Sequence, residues 1–166
     1  MAEETVHEVH VSLKRERPPI RHAHLHMTGT DVTFGVPGWQ GEHYGFEPGQ
    51  VEEHPGTLDY LVASVGGCLI GTFGGALKAR GIVALGDALT ADAIGEVAVE
   101  SDKVLRLRKI TVNYRLEADP EQRETIDRVN QMHVKFCPNA RSVMDAIEIE
   151  TNVEIVPVPE PATAAS

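Results

Sequence analysis

The run Thr57-Leu58-Asp59-Tyr60-Leu61-Val62-Ala63-Ser64-Val65-Gly66-Gly67-Cys68-Leu69-Ile70-Gly71-Thr72-Phe73-Gly74-Gly75-Ala76-Leu77-Lys78-Ala79-Arg80 decides the fold. Leu58, Leu61, Val62, Val65, Leu69 and Phe73 recur every three or four positions, the spacing of one helix face. Lys78 and Arg80 suit the negative end of the helix dipole, and Gly81 follows as a stop signal. From Tyr60 to Leu77 eighteen residues pass without a charge, the length at which a membrane span comes into question. Gly66, Gly67, Gly71, Gly74 and Gly75 lie inside that run with Ser64, Cys68 and Thr72. Its transfer energy is therefore weak, and the stretch reads as a buried core helix. Each internal glycine costs about 1 kcal/mol against alanine, a cost that close backbone approach to another helix, in this chain or in a second subunit, would offset. A helix apolar on every side needs more cover than one thin sheet provides.

Upstream, Val9, Val11 and Leu13 alternate with polar neighbours as in a half-buried strand, until Pro18-Pro19 breaks the chain. Ala23, Leu25 and Met27 alternate again, and Val32, Phe34 and Val36 follow a turn at Thr28-Gly29-Thr30-Asp31. Residues 37–56 read as a loop whose aromatics, Trp39, Tyr44 and Phe46, show no period; loops of that length are usually lids or site walls. Downstream, strands are expected over 94–99 and 110–116 with a turn at Ser101-Asp102-Lys103. Parity slips between Arg108 and Lys109, which predicts a bulge. Asp119-Pro120-Glu121 has the cap, proline and acid of a helix start, with the helix running to about Val134. Cys137-Pro138 opens a further helix through Ile147, and Ile149, Thr151, Val153 and Ile155 alternate as a closing strand. Strands grouped before and after helices predict an α+β fold. A single domain is expected over 1–156, followed by a disordered Pro/Ala-rich tail over 157–166.

With 166 residues the chain has room for one compact domain. Fifteen Lys and Arg against twenty-five Asp and Glu give a net charge of −10. That balance argues against nucleic acid or an anionic membrane as the main partner. At 42% hydrophobic and 24% charged residues, the chain is too apolar for disorder. The start, Met1-Ala2-Glu3-Glu4-Thr5, lacks the basic and apolar regions of a signal or transit peptide. Only two cysteines occur, which excludes a disulfide-stapled scaffold and a four-cysteine zinc site. A cytoplasmic, thiol-reducing compartment is the expected location.

Those two cysteines, Cys68 and Cys137, are the first place to look for chemistry. Taken alone, Cys68 in the middle of the helix reads equally as a small buried hydrophobe. Cys137 precedes Pro138, a helix start at which amides and dipole lower a thiol pKa, so elementary physics ranks it the better nucleophile. They stand sixty-nine residues apart with no CxxC motif, so a disulfide would join distant parts of the chain. A second constellation is His22, His24 and His26 on one face of the second strand, with Ala23, Leu25 and Met27 on the other. Alternate strand positions lie about 6.6 Å apart, so two neighbours could share a metal, with His43 or His54 adding a ligand. The plainer reading is a solvent-facing side of a strand. Glu121, Glu124, Asp127 and Arg128 likewise read as a solvated helix face with an i,i+4 Glu124–Arg128 pair.

At the cysteines the chain resembles a known family. The run from Leu58 to Leu69 is similar to the central helix of the osmotically inducible protein C / organic hydroperoxide resistance (OsmC/Ohr) family, which reads Pro-x-Glu-Leu-Leu-x-Ala-x-x-Gly/Ala-Gly/Ala-Cys. Cys137-Pro138-Asn139-Ala140-Arg141 matches the family's Cys-Pro in the last third, and Tyr44-Gly45-Phe46 looks like the segment before the central helix. The resemblance, to the OsmC-like branch, spans roughly residues 21–156. It implies an OsmC-like fold, antiparallel sheets around a long central helix, in an intertwined homodimer with active sites at the subunit interface. It also makes Cys68 the peroxidatic residue and Cys137 the resolving one, reversing the helix-end ranking. Cys68 would reduce an organic hydroperoxide and become a sulfenic acid. Cys137 would condense with it to a disulfide, which a dithiol such as a lipoylated protein would reduce. No cofactor, metal, nucleic acid or membrane is implied.

The match departs from the family at the group that activates the thiolate. Its peroxidases place a glutamate ten residues before the reactive cysteine, paired with an arginine; here that position is Leu58. Asp59 is the nearest carboxylate and reads equally as a helix-start acid. Between Phe46 and Cys68 there is no arginine, so Arg21 is the leading candidate, with Arg15 and Arg17 behind it. Two other readings stand beside the peroxidase. One is a noncatalytic OsmC-like dimer binding a small apolar ligand between subunits. The other is a metal-dependent protein using the histidines.

Overall fold

The computed structural model describes residues 5–47, 49–50 and 54–158. The first four residues of the leader reading, four positions of the expected loop and residues 159–166 of the expected tail lie outside the described residues. The chain forms two compact units, residues 1–60 and 61–166.

The first unit holds an antiparallel sheet in the order β1 (Val11–Arg15), β2 (Arg21–Leu25), β3 (Thr30–Phe34). Leu13, Ala23 and Val32 stand opposite one another across it. Ala23 is buried, together with Ile20, Val36 and Gln40. β1 begins two residues later than its alternation suggests and is exposed throughout, Leu13 being 76% accessible. It is an outer strand, and nothing in the described chain covers its apolar residues. The expected loop contains a short helix, α1 (Gly38–His43), entered from Pro37 at φ −57° and ψ 155°. Six residues including Gly38 and Gly41 are too few and too glycine-rich to leave a helical period in the sequence.

The central helix, α2 (Thr57–Lys78), matches its expected range closely, beginning in the first unit and continuing into the second. Its start is held locally. The Gly56 N–H donates to Asp59 Oδ2 (2.6 Å), and the Tyr60 hydroxyl donates to the Thr33 carbonyl (3.4 Å). The Tyr60 ring meets Phe34 edge-on at 5.0 Å. Gly81, at φ +80°, ends the run as its position suggested.

In the second unit, the α2 face carrying Val65, Leu69, Phe73 and Leu77 is fully buried, which makes it a core helix. Strands β4 (Leu89–Val99), β5 (Leu105–Glu117) and β6 (Glu148–Val156) form the sheet, in that order. Ile110, Val112, Tyr114 and Leu116 alternate into the core from β5. The bulge lies where parity slipped: Glu96 pairs Lys109 and Val97 pairs Leu107, so Arg108 is the extra residue. β6 runs parallel to β5, so this sheet is mixed rather than wholly antiparallel. The return segment carries α3 (Arg123–His133) and α4 (Pro138–Val143), and such a crossover brings the chain back in the same direction. α4 stops at Val143, short of the expected Ile147, because Glu148 already pairs Lys109 in the ladder. The Asp119 cap and the Glu124–Arg128 pair (2.8 Å) form as read, although the first turn, Pro120–Gln122, is 3₁₀.

Two of the helix glycines admit a strand of this chain. A Cβ on Gly66 would sit 2.8 Å from the Ala93 Cβ of β4, and one on Gly74 3.2 Å from Leu89 Cδ2. Around Gly67, Gly71 and Gly75 there is open space in this chain. The tightest approach comes from the strand side, where a Cβ on Gly95 would lie 2.5 Å from Val62 Cγ2 and 2.9 Å from Leu107 Cδ1. Val62 is β-branched and on a helix, so it has no rotamer into which to retreat. Gly95→Ala is therefore expected to destabilise the fold by about 1–3 kcal/mol, read from the urea midpoint. An unchanged midpoint would show that helix and strand are not in close contact.

Candidate functional site

Cys68 sits in the middle of α2, half-buried, and Cys137 is fully buried; both are free thiols. Cys137 caps α4: its Sγ accepts from the Ala140 N–H at 3.5 Å, and Pro138 takes the first helical position. The sequence therefore placed Cys137 at a helix start correctly. The lowered thiol pKa expected from that placement is not found. Burial pushes the Cys137 thiol up, the Ala140 amide pulls it down, and the neighbouring Cys68 adds a further upward push. Burial wins, and Cys137 is a neutral thiol at pH 7.

The same interactions bring the two cysteines together. Cys68 and Thr72 are neighbours of Cys137, close enough to act on its thiol. Thr72 Oγ1 also donates to the Cys68 carbonyl at 2.9 Å, and Asn139 Nδ2 donates to the Ser64 carbonyl at 2.9 Å. The second of these bonds ties the start of α4 to α2 one turn before Cys68.

Behind Cys137 lies an aromatic cluster that the sequence reading missed. Phe73 stacks on Tyr114 (centroids 4.5 Å, 18° between planes) and sits 5.0 Å from the His133 ring. The Tyr114 hydroxyl and His133 Nε2 are 2.9 Å apart, and His133 Nδ1 faces the carbonyls of Asn130 (2.9 Å) and Val129 (3.3 Å). Burial lowers the His133 pKa, although the two carbonyls act against it. Burial also raises the Tyr114 pKa, with nearby Cys137 adding to the rise. The inward parity of Ile110, Val112 and Tyr114 was the signal that could have placed Tyr114 here.

Arg21 and Asp59 belong to the first unit. Arg21 Nη2 donates to the Gly35 carbonyl at 2.7 Å, while its buried Nε has no hydrogen-bond partner among the described residues. Asp59 is exposed and receives the Gly56 amide, as a helix-start acid does. Nine positions along a helix of 3.6 residues per turn set Asp59 half a turn out of phase with Cys68. Leu58 is half-buried at the helix start, and Arg15 ends the exposed β1.

The strand histidines have separate polar partners, although the His24 and His26 rings meet edge-on at 5.0 Å. His22 pairs Glu16 (2.7 Å) and Thr33 (3.3 Å), His24 pairs Asp31 (2.8 Å), and His26 pairs Ser12 (2.8 Å) while stacking on His10. Among the described residues, no group of three or more His, Cys, Asp or Glu is placed to hold a metal ion.

A family model for OsmC-like proteins matches residues 49–152. No match was found among curated protein sequences. Among solved structures, the chain is similar to an OsmC-like protein from Mycoplasma pneumoniae (17% identity, TM-score 0.64), covering 93% of this chain and 100% of that one. An organic hydroperoxide resistance protein OsmC from Legionella pneumophila aligns at 10% identity and TM-score 0.67, covering 91% and 99% respectively. The organic hydroperoxide resistance protein OhrB of Bacillus subtilis aligns at 12% identity and TM-score 0.62, covering 92% and 100%.

Proposed function

The chain belongs to the OsmC-like protein family, and from that premise we propose that it is a thiol-dependent peroxidase reducing organic hydroperoxides. The observation that carries this reading is a half-buried Cys68 neighbouring a fully buried Cys137 closely enough to act on its thiol. The accessible thiol meets the peroxide and the sheltered one resolves it. Cys68 thiolate attacks the O–O bond, the alcohol leaves after taking a proton, and Cys68 becomes a sulfenic acid. The Cys137 sulfur then displaces the hydroxyl, which leaves as water, and a Cys68–Cys137 disulfide forms. A dithiol, such as a lipoylated protein, restores both thiols by exchange.

The family's arginine role is proposed for Arg21, whose buried Nε is a donor without an acceptor among the described residues. The local bond of Asp59 to Gly56 favours a capping role for that carboxylate over a catalytic one. We place the protein in the cytoplasm as an intertwined homodimer, one OsmC-like domain per chain. The exposed Val11 and Leu13 and the open glycine edge of α2 support a partner copy.

A second reading, a noncatalytic dimer that binds a small apolar ligand, is favoured by Leu58 at the family's glutamate position and by an apolar groove of about 320 Å³. Ile70, Gly71, Leu85 and Leu89 contribute to that groove. One experiment separates the two. Treating reduced protein with one equivalent of cumene hydroperoxide should remove two thiols and give a Cys68–Cys137 cross-linked peptide. Two intact thiols would discard the peroxidase and favour the ligand-binding dimer.

A further inference from the structure

Two cysteines that lie far apart in the chain form a disulfide only as fast as the fold holds one sulfur in register with the other. Asn139 stands two residues beyond Cys137, and its Nδ2 donates to the Ser64 carbonyl of α2 at 2.9 Å. We propose that Asn139 is a positioning residue for the Cys68–Cys137 disulfide, holding the Cys137 sulfur in place for attack at Cys68. This deepens the peroxidase reading and rests on it for its biological setting, whereas ring closure itself is a property of the dithiol.

Each end of the Asn139 bond is fixed to a cysteine through the backbone. In an α-helix every N–H donates to the carbonyl four positions earlier, so the Ser64 carbonyl is the acceptor for the Cys68 amide. That carbonyl points along α2 towards Cys68, and it has a second lone pair for Asn139. Asn139 therefore meets α2 at the turn that closes on Cys68. On the other side, the first turn of α4 is held from within. Pro138 has a fixed φ, the Arg141 N–H donates to the Cys137 carbonyl at 2.9 Å, and the Ala140 N–H donates to Cys137 Sγ at 3.5 Å. Ala140, next to Asn139, is completely buried. The Cys137 sulfur and the Asn139 amide thus move as one piece.

Other side-chain bonds of α4 do not reach α2. Ser142 Oγ donates to the Pro138 carbonyl at 2.8 Å, inside the helix, and Arg141 Nη1 donates to the Lys135 carbonyl at 3.4 Å, in the turn before it. Without the Asn139 amide, this helix of six residues keeps its own bonds and loses its anchor on α2. One hydrogen bond, and the orientation it imposes, corresponds to about tenfold in the rate of ring closure.

The test uses the reduced full chain with 5,5′-dithiobis(2-nitrobenzoate) and needs no peroxide. In a first phase the half-buried Cys68 opens the reagent's S–S bond, releases one thionitrobenzoate and keeps the other as a mixed disulfide. In a second phase Cys137 gives its proton to the buffer and its sulfur attacks that of Cys68. The second thionitrobenzoate leaves as the Cys68–Cys137 bond forms. The first phase scales with reagent concentration and the second does not. Asn139→Ala should leave the first phase within about twofold and slow the second about tenfold. Asn139→Asp, with the same shape but no donor, should slow it at least as much. Ser142→Ala removes a bond of α4 that does not reach α2 and should leave both phases unchanged. Equilibrated with glutathione, Asn139→Ala should disfavour the protein disulfide about tenfold, raising the dithiol potential by about 30 mV.

A wild-type second phase in Asn139→Ala overturns the proposal. Equal slowing of both phases, or an equal effect of Ser142→Ala, also overturns it, because either marks a purely structural role. So does a wild-type chain with no second phase. Where Cys68 takes up no reagent, the glutathione equilibrium of the same variants decides. The peroxidase reading fails separately, if both thiols survive cumene hydroperoxide while the second phase runs at its normal rate.

Discussion

Cys68→Ser is expected to lower hydroperoxide turnover by about a thousandfold or more, measured as consumption of cumene hydroperoxide with reduced lipoamide as the dithiol. A serine hydroxyl is not ionised at neutral pH and cannot cycle through a sulfenic acid. Nor can the other cysteine take over: Cys137 has no exposed surface, and its thiol is held protonated by burial. The loss should differ in kind from that in Cys137→Ser. There the first half-reaction persists and the sulfenic acid accumulates, so dimedone should label Cys68 stoichiometrically after one equivalent of peroxide. Normal turnover by Cys68→Ser would sink the assignment of the peroxidatic residue.

Phe73→Ala is expected to have the largest effect on stability, about 3–5 kcal/mol, measured by equilibrium urea unfolding. The side chain is completely buried. Its removal leaves a hole walled by Tyr114 and His133, whose rings cannot collapse inward without breaking the 2.9 Å bond between them. About 0.5–1.5 kcal/mol of the loss is aromatic stacking, and the rest is apolar burial and cavity. Phe73→Leu keeps most of the volume and should cost appreciably less. If both substitutions cost under about 1 kcal/mol, the cluster behind Cys137 is not the packed core that its burial implies.

The central helix was legible because a single period runs through it unbroken: Val65, Leu69 and Phe73 recur as one face and are buried as one face. The bulge at Arg108 was legible for the same reason, since a strand's period of two makes a slip visible. Ranges failed where pairing between distant segments competes with local preference. α4 yields to the ladder at Glu148, and β4 begins at Leu89 instead of near Ile94 because its partner β5 is long enough to pair it. The parallel sense of β6 depends on the path of the crossover, which no local pattern records. At the site, the two cysteines were visible as residue types, but the effect of the helix end on the Cys137 thiol was overrated. Sequence shows that Pro138 follows Cys137. It does not show how deeply Cys137 is buried, and here depth outweighs the cap. Tyr114 and His133 were overlooked for a related reason. A tyrosine and a histidine nineteen residues apart acquire a joint meaning only when a strand and a helix bring them to 2.9 Å.

One consequence of the long helix concerns how this chain could be dissected. Thr57–Lys78 starts in one compact unit and runs on through the other, so the border between residues 60 and 61 falls inside a continuous ladder of hydrogen bonds. Excision at that seam would leave four carbonyls on one side and four amides on the other without intrahelical partners. It would also separate Asp59, which holds the helix start, from the helix it starts. A break at Gly81, where a positive φ ends the run, would instead strip the second unit of its core helix. The two units share their longest element, so neither is a bead that can be slipped off the string.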